Sequence, residues 1–276
     1  HKRQTTPMSE PTPSVADTLA AVRTRNPLVH SITNLVAMDL GANVLLAVGA
    51  SPVMAHAREE IDEIVAVANA LVVNIGTLDA GWVESMEQAA AKASELGTPW
   101  VLDPVGVGAT TYRNEVAARL TALQPTVIRG NGSEIVALAG AANVSAATRG
   151  VDSAIDSAEA LDAARDLAQA SQAIVAVTGS VDYVTDGTRV IAVANGVPEM
   201  AQVTAMGCAL SGLVGACIGV GTKPLRATAH ALAIYGVAGE LAAQHAHGPG
   251  SLRMRMLDAF TQLDSETLNE MASIDQ

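Results

Sequence analysis

Aromatic residues are almost missing from this chain: they make up 2% of its 276 residues, with a single phenylalanine. A core without rings has to be filled by small and aliphatic side chains. At 49% hydrophobic the chain has enough of them for one sizeable core and too few residues for two independent ones. Cysteine is scarce as well. The two present, Cys208 and Cys217, are nine positions apart and so on opposite faces of any helix that carries both, which excludes a disulfide framework and fits a reducing cytoplasm. Basic clusters are also lacking. With 28 Asp and Glu against 16 Lys and Arg the net charge is −12, and no run of Lys or Arg exceeds a pair, so the electrostatic footprint of a nucleic-acid binder is missing. The longest uncharged apolar stretch, residues 206–221, is shorter than the roughly 20 residues a membrane-spanning helix needs, and no charged segment followed by an apolar one opens the chain. Neither a membrane nor a nucleic acid is expected as a partner.

Common catalytic signatures are absent too. There is no G-x-x-x-x-G-K-[ST] loop and no G-x-S-x-G elbow, and GVGATT at 106–111 lacks the third glycine of a dinucleotide fingerprint. His30, His56, His230, His245 and His247 fall in no H-E-x-x-H or C-x-x-C pattern, so a zinc site is not expected.

What is present is an alternation. Short β-branched runs at 28–32, 51–55, 70–75, 99–105, 126–130 and 173–179 read as buried strands. Segments of helical period at 36–49, 58–69, 81–97, 113–124, 133–140 and 157–171 separate them. A hairpin over 182–194 follows, turning at Asp186-Gly187, and the chain then reads as helix at 208–220, 224–245 and 252–271. The pattern predicts an α/β fold: a mostly parallel sheet with helices on both faces. Residues 1–14, with three prolines and no periodicity, read as a disordered or expression-derived tail, leaving one domain over 15–276.

Ligands of open parallel sheets bind beyond the carboxyl ends of the strands. Here those ends carry Thr33-Asn34, Gly76-Thr77, Asp103 followed by Gly106 and Gly108, Arg129-Gly130-Asn131 and Thr178-Gly179. An amide, a carboxylate, a guanidinium and hydroxyls would therefore meet in one crevice. Asn131-x-x-Glu134 and the glycine that precedes Cys208 at the start of a helix complete a constellation suited to phosphate, because unobstructed N–H groups at a helix N-terminus stabilise negative charge.

Five blocks in one order, at 29–57, 101–110, 127–135, 177–187 and 203–216, resemble the hydroxyethylthiazole kinase family, the thiamine-salvage branch of the ribokinase-like kinases; the resemblance spans about residues 15–265. It implies a single-domain ribokinase-like three-layer sandwich, ATP as phosphate donor, Mg²⁺, and phosphorylation of the hydroxyethyl group of 5-(2-hydroxyethyl)-4-methylthiazole. It further implies a homotrimer with active sites at subunit contacts. Carried over by position, Asn34, Val36, Met54 and Ala205 match the thiazole pocket, with Met54 on the ring. Arg129, Asn131, Thr178 and Gly207 match ATP contacts, and Asp103 and Glu134 match groups holding Mg²⁺, largely through water. Cys208 matches the position facing the substrate hydroxyl, where most ribokinase-like enzymes place an aspartate base.

Read without that resemblance, several of these residues also have plain structural roles. Asp103 would cap a loop, Arg129 would form a surface ion pair, Glu134 would face a helix dipole and Met54 would fill the core. Cys208 is either a base or a packing residue. A free thiol titrates near pKa ~8.5, and a helix N-terminus is expected to lower that value. The turn departs from the family pattern Thr-Gly-x-Gly-Cys: here it is Thr204-Ala205-Met206-Gly207-Cys208. If the second position needs a positive φ, alanine is strained by ~1 kcal/mol. Met206 either adds bulk beside the phosphate path or points away. The alternatives to the thiazole kinase are a related kinase for hydroxymethylpyrimidine or another small alcohol, and a thiazole- or nucleotide-binding homologue whose turnover is weakened by this turn.

Overall fold

The computed structural model describes residues 12–142 and 155–275. Most of the expected tail lies outside the described residues. Its last member, Ser14, is the N-cap of helix α1 (Val15–Arg25): Ser14 Oγ accepts from the Asp17 amide at 3.1 Å while Asp17 Oδ2 accepts from the Ser14 amide at 2.8 Å. This capping box was a readable signal for a helix that the hydrophobic period alone did not predict.

From there strands and helices alternate as expected: β1 (Leu28–Ile32), α2 (Met38–Val48), β2 (Ser51–Val53), α3 (Ile61–Val67), β3 (Ala70–Asn74), α4 (Ala80–Leu96), β4 (Trp100–Asp103), α5 (Thr111–Ala122), β5 (Val127–Asn131), α6 (Gly132–Ala141), α7 (Leu161–Ser171) and β6 (Ile174–Thr178). Strands β7 (Asp182–Thr185) and β8 (Val190–Val193) form the hairpin. Its connection has four residues rather than the two of a tight turn, because Asp186 Oδ1 draws in the amides of Thr188 and Arg189. A 3₁₀ turn at Pro198–Gln202 leads to α8 (Met206–Gly219), α9 (Pro224–Ala243), α10 (Pro249–Gln262), α11 (Ser265–Met271) and a short β9 (Ile274–Asp275).

Several expected boundaries move. The strand expected over 99–105 ends at Asp103, since Pro104 cannot donate to a ladder, and the one over 51–55 stops at Val53. The last helix breaks in two where Asp264 caps the second piece by accepting from the Thr267 amide at 2.8 Å. Helix α8 starts at Met206, two residues before Cys208.

The nine-stranded sheet has the order β2-β1-β3-β4-β5-β6-β7-β8-β9, parallel from β2 to β6 and antiparallel beyond. Strand alternation divides the core between its faces. Val29, Val72, Val101, Val127 and Ala176 pack with α1, α2, α8, α9 and α10, while Ile32, Leu71, Trp100, Leu102 and Ile128 pack with α3 to α7. The order reverses between β1 and β3, which opens a crevice beyond their carboxyl ends.

Helix α8 lies against the strands beside that crevice and is buried on nearly every side. Its close approach depends on Gly215, where a Cβ would stand 2.7 Å from Val72 Cγ2 and 3.3 Å from Val29 Cγ1. Replacing it with valine forces helix and sheet apart, and Gly215→Val is expected to cost roughly 1–3 kcal/mol of folding free energy. Denaturant titration measures this; an unchanged midpoint would show that the interface has slack.

Candidate active site

The crevice at the strand-order reversal is filled by a row of buried polar side chains. Asn34, just beyond β1, turns its Oδ1 back to accept from the amides of Val36 and Ala37 at 3.0 Å each, which leaves Nδ2 pointing inward. That group donates to Asn74 Oδ1 at 2.8 Å and to Cys208 Sγ at 3.3 Å. Asn74, the last residue of β3, donates from Nδ2 to Asp103 Oδ2 at 2.7 Å, and Ser211 on α8 donates to the same oxygen at 2.8 Å. Gly76 admits the row: a Cβ there would come within 2.5 Å of Asn34 Nδ2. Asp103 is fully buried, and its other oxygen, Oδ1, has no hydrogen-bond partner; Arg129 Nη1, 3.9 Å away, acts on it only as a nearby charge. Burial pushes the Asp103 carboxyl up to about 6, with the Arg129 charge opposing the rise.

Arg129 links this row to an open cavity of about 490 Å³ between β6, β7, α8 and α9. Its Nη2 donates to Thr178 Oγ1 at 2.8 Å, and its guanidinium lies on Gly207, where a Cβ would fall 2.7 Å from Nη1. Only glycine lets the guanidinium sit on the first turn of α8. Much of the remaining lining is apolar, with Val197, Met200, Leu210, Leu232 and Tyr235 among its residues.

The turn before Cys208 is strained. Ala205 has φ 65 and ψ 6, the left-handed region, so the requirement for positive φ is real and alanine meets it at a cost. Met206 points inward: it lines the cavity, its carbonyl accepts from the Tyr235 hydroxyl at 2.8 Å, and its sulfur is 3.3 Å from the same oxygen. The Cys208 thiol departs from expectation. Burial and the neighbouring Asp103 carboxylate raise its pKa, against the amides of Asn34 and Asn74 and the Arg129 charge. The surroundings in this structure therefore favour the protonated thiol over the thiolate.

Asn131 and Glu134 form a reciprocal capping box at the start of α6: Asn131 Oδ1 accepts from the Glu134 amide and Glu134 Oε2 from the Asn131 amide, each at 2.9 Å. Glu134 Oε1 accepts from the Gly106 amide at 2.9 Å, drawing the glycine-bearing loop after β4 towards Asp103. Arg113 ties that loop to the one after β3 by donating to the carbonyls of Val105, Ile75 and Gly76. Among the described residues no three His, Cys, Asp or Glu side chains are placed to hold a metal ion. Asp103, with one oxygen fixed and the other unpartnered, and Glu134, whose oxygens each retain a lone pair, suit a cation that keeps most of its water, which is the habit of Mg²⁺.

Val36 and Met54 are not drawn into this row. They follow the neighbouring strands β1 and β2, Val36 being 57% exposed beside Leu35 at 68%, and Met54 partly buried.

Comparison with known proteins resolves the ancestry of this arrangement. The hydroxyethylthiazole kinase family model matches residues 19–266. This chain belongs to the hydroxyethylthiazole kinase family. It is 54% identical over 257 residues to the hydroxyethylthiazole kinase of Cereibacter sphaeroides, covering 93% of this chain and 97% of the relative. To the enzyme of that name in Rhizobium etli it is 52% identical, with 93% and 98% covered. Among solved structures, the hydroxyethylthiazole kinase protein of Pyrococcus horikoshii superposes with a TM-score of 0.88 at 43% identity, over 95% of this chain and 98% of that one. A ribokinase-like superfamily protein of Enterococcus faecalis, at 12% identity and a TM-score of 0.60 over 92% of this chain and 91% of that one, shares the fold.

Beside the family's motif positions the structure adds residues that the sequence reading passed over. Asn74 was read as part of an apolar strand, although a lone amide at the end of VVN was the available signal. Ser211, one helical turn beyond Cys208, carried the spacing of a shared face. Only the tertiary contact shows that both converge on Asp103.

Replacing Ala205 by the glycine of the family pattern removes a left-handed alanine costing about 1–2 kcal/mol and adds back roughly 0.4–1 kcal/mol of unfolded-state entropy. Ala205→Gly is therefore expected to stabilise the protein by up to about 1.6 kcal/mol. A thermal melt checks it, and a lower melting temperature would mean that the surrounding contacts hold alanine without strain.

Proposed function

We propose that this chain transfers the γ-phosphoryl group of ATP to the hydroxyethyl oxygen of 5-(2-hydroxyethyl)-4-methylthiazole, yielding the thiazole phosphate. The observation that carries the reading is the row Cys208, Asn34, Asn74 and Asp103 running from a thiol at the start of α8 to a carboxylate beside Arg129.

In this reading Arg129 and the amides in the first turn of α8 receive the phosphates, and Gly207 keeps a side chain out of their way. The thiazole lies over the loops after β1 and β2, near Val36 and Met54, with its hydroxyl directed to Cys208. The transition state of phosphoryl transfer is loose, so early removal of the alcohol proton gains little and positioning with charge stabilisation dominates. A protonated thiol is compatible with that chemistry. Asn34 fixes its sulfur, and Ser211 and Asn74 fix the carboxylate that faces the phosphates. Asp103 and Glu134 would hold Mg²⁺ largely through its water, and the ion would supply neutralisation of phosphate charge. The capping box uses the side-chain oxygen and backbone amide of Asn131, and its exposed Nδ2, which that box leaves out, would be the group that meets the nucleotide.

The exposed Leu35 and Val36, at the thiazole positions, are apolar surface for a second subunit, and we assign them to the contacts of a homotrimer that completes the pocket. No helix among the described residues is long and apolar enough to cross a membrane, and both cysteines are free thiols, which suits the cytoplasm.

Incubation with ATP, Mg²⁺ and the thiazole, against no-substrate and hydroxymethylpyrimidine controls, is expected to give thiazole-dependent ADP and phosphorylated thiazole. Asp103→Asn should lower that turnover on the order of 100-fold while thiazole binding persists; unchanged turnover removes the metal assignment. Thiazole binding with no product in the unaltered protein would identify a binding homologue, the reading that the strained Ala205 favours. Sedimentation should report a trimer, and a monomer at assay concentration would refute the shared pocket.

A further inference from the structure

The cavity beside Arg129 contains one carboxylate that the phosphoryl transfer described above does not use. Asp182 opens β7, and among the residues lining the cavity it is the only acid. Its Oδ1 accepts from the Gly179 amide at 2.9 Å and so closes the connection from β6 to β7; no hydrogen bond from a described residue reaches Oδ2. Burial pushes this carboxyl up to about 6, against the Gly179 amide and the Arg129 charge. Asp182 is half-buried at the cavity wall, so an oxygen that no described residue engages is available to accept from whatever fills the cavity.

The other polar side chains of the lining are largely committed. Asn195 donates to Glu240 at 3.0 Å and to the Met271 carbonyl at 2.8 Å while accepting from the Ser273 amide at 2.7 Å. Thr178 accepts from Arg129 and donates to the Gly130 carbonyl at 3.3 Å. A phosphate is a poor match for Asp182, because like charges repel and no cation among the lining residues is hydrogen-bonded to this carboxylate. The partner is a neutral part of the nucleotide that carries hydroxyl or amine donors. Position decides between them: Asp182 is tied to Gly179, next to the Thr178 that touches Arg129, and beyond phosphates held at Arg129 the first neutral part of a nucleotide is its ribose.

We infer that Asp182 receives a ribose hydroxyl of the bound nucleotide and makes this cavity selective for ribonucleoside over deoxyribonucleoside triphosphates. The inference rests on reading the cavity as the ATP site.

The test is calorimetric binding of ATP, 2′-deoxy-ATP, 3′-deoxy-ATP and purine riboside triphosphate, with Mg²⁺, to the full chain and to its Asp182→Asn variant. Asparagine keeps the acceptor for Gly179 but turns Oδ2 into a donor, so the fold should be retained, with a melting temperature near that of the unaltered protein. The unaltered protein is expected to bind one deoxy analogue about tenfold or more weaker than ATP, the usual loss of a hydrogen bond to a charged group. In Asp182→Asn, ATP binding should weaken by a similar factor and the deoxy penalty should vanish. Equal binding of ATP and both deoxy analogues, or a variant that keeps the penalty, overturns the inference. A penalty confined to purine riboside triphosphate also overturns it, assigning the carboxylate to the base. Thiazole-dependent ADP formation measured in parallel separates the two readings: its absence, with the deoxy penalty present, sinks the kinase reading alone.

Discussion

A carboxylate buried at the end of a central strand is the constraint on which the rest of the site depends. Asp103 has no exposure to solvent, and a charge in that position is tolerable only with compensation. Asn74 and Ser211 satisfy one of its oxygens and Arg129 supplies a positive charge near the other. Each compensating group then fixes something further. Asn74 fixes Asn34, Asn34 fixes the Cys208 sulfur and the entry to α2, and Arg129 requires a glycine at 207. The polar row is thus one cooperative unit in a low-dielectric setting, where each member is expensive to leave unpaired.

The N-terminus of α8 is the second constraint. The guanidinium lying on Gly207 and the left-handed backbone at Ala205 bring the helix's first amides up to the crevice, and the Tyr235 hydroxyl steadies the same turn through Met206. Strain held at a turn of this kind persists because the surrounding packing over-determines it. Behind the turn, α8 runs between helices and sheet on small residues, Gly215 above all, so helix and strand ends stay in fixed relation.

A core almost free of aromatic rings suits this design. Ala, Val, Leu and Ile fill both faces of a twisted sheet in thin layers, which lets α8 and the strands approach closely. The same composition leaves Leu35, Val36 and Leu46 as apolar surface without cover in a single chain.

The order of strands and helices and the polar strand ends, where Asp103, Arg129 and Thr178 come within reach of one another, were legible in the residues, because alternation and turn chemistry are local properties written along the chain. The capping box at Ser14 was equally local and was simply outweighed by weak periodicity. Asn74 and Ser211 were not legible as partners of Asp103, since they lie 29 and 108 positions from it and meet it only through the pairing of β3 with β4 and the crossing of α8 over β4. The sign of the Cys208 shift was decided by tertiary structure for the same reason: a helix N-terminus is visible in sequence, whereas burial and a carboxylate from another strand are not. Sequence by itself determined which chemical groups this protein brings to its strand ends; the packing of α8 on the sheet decided which of them touch, which stay charged and which face the cavity, because burial and distance exist only in three dimensions.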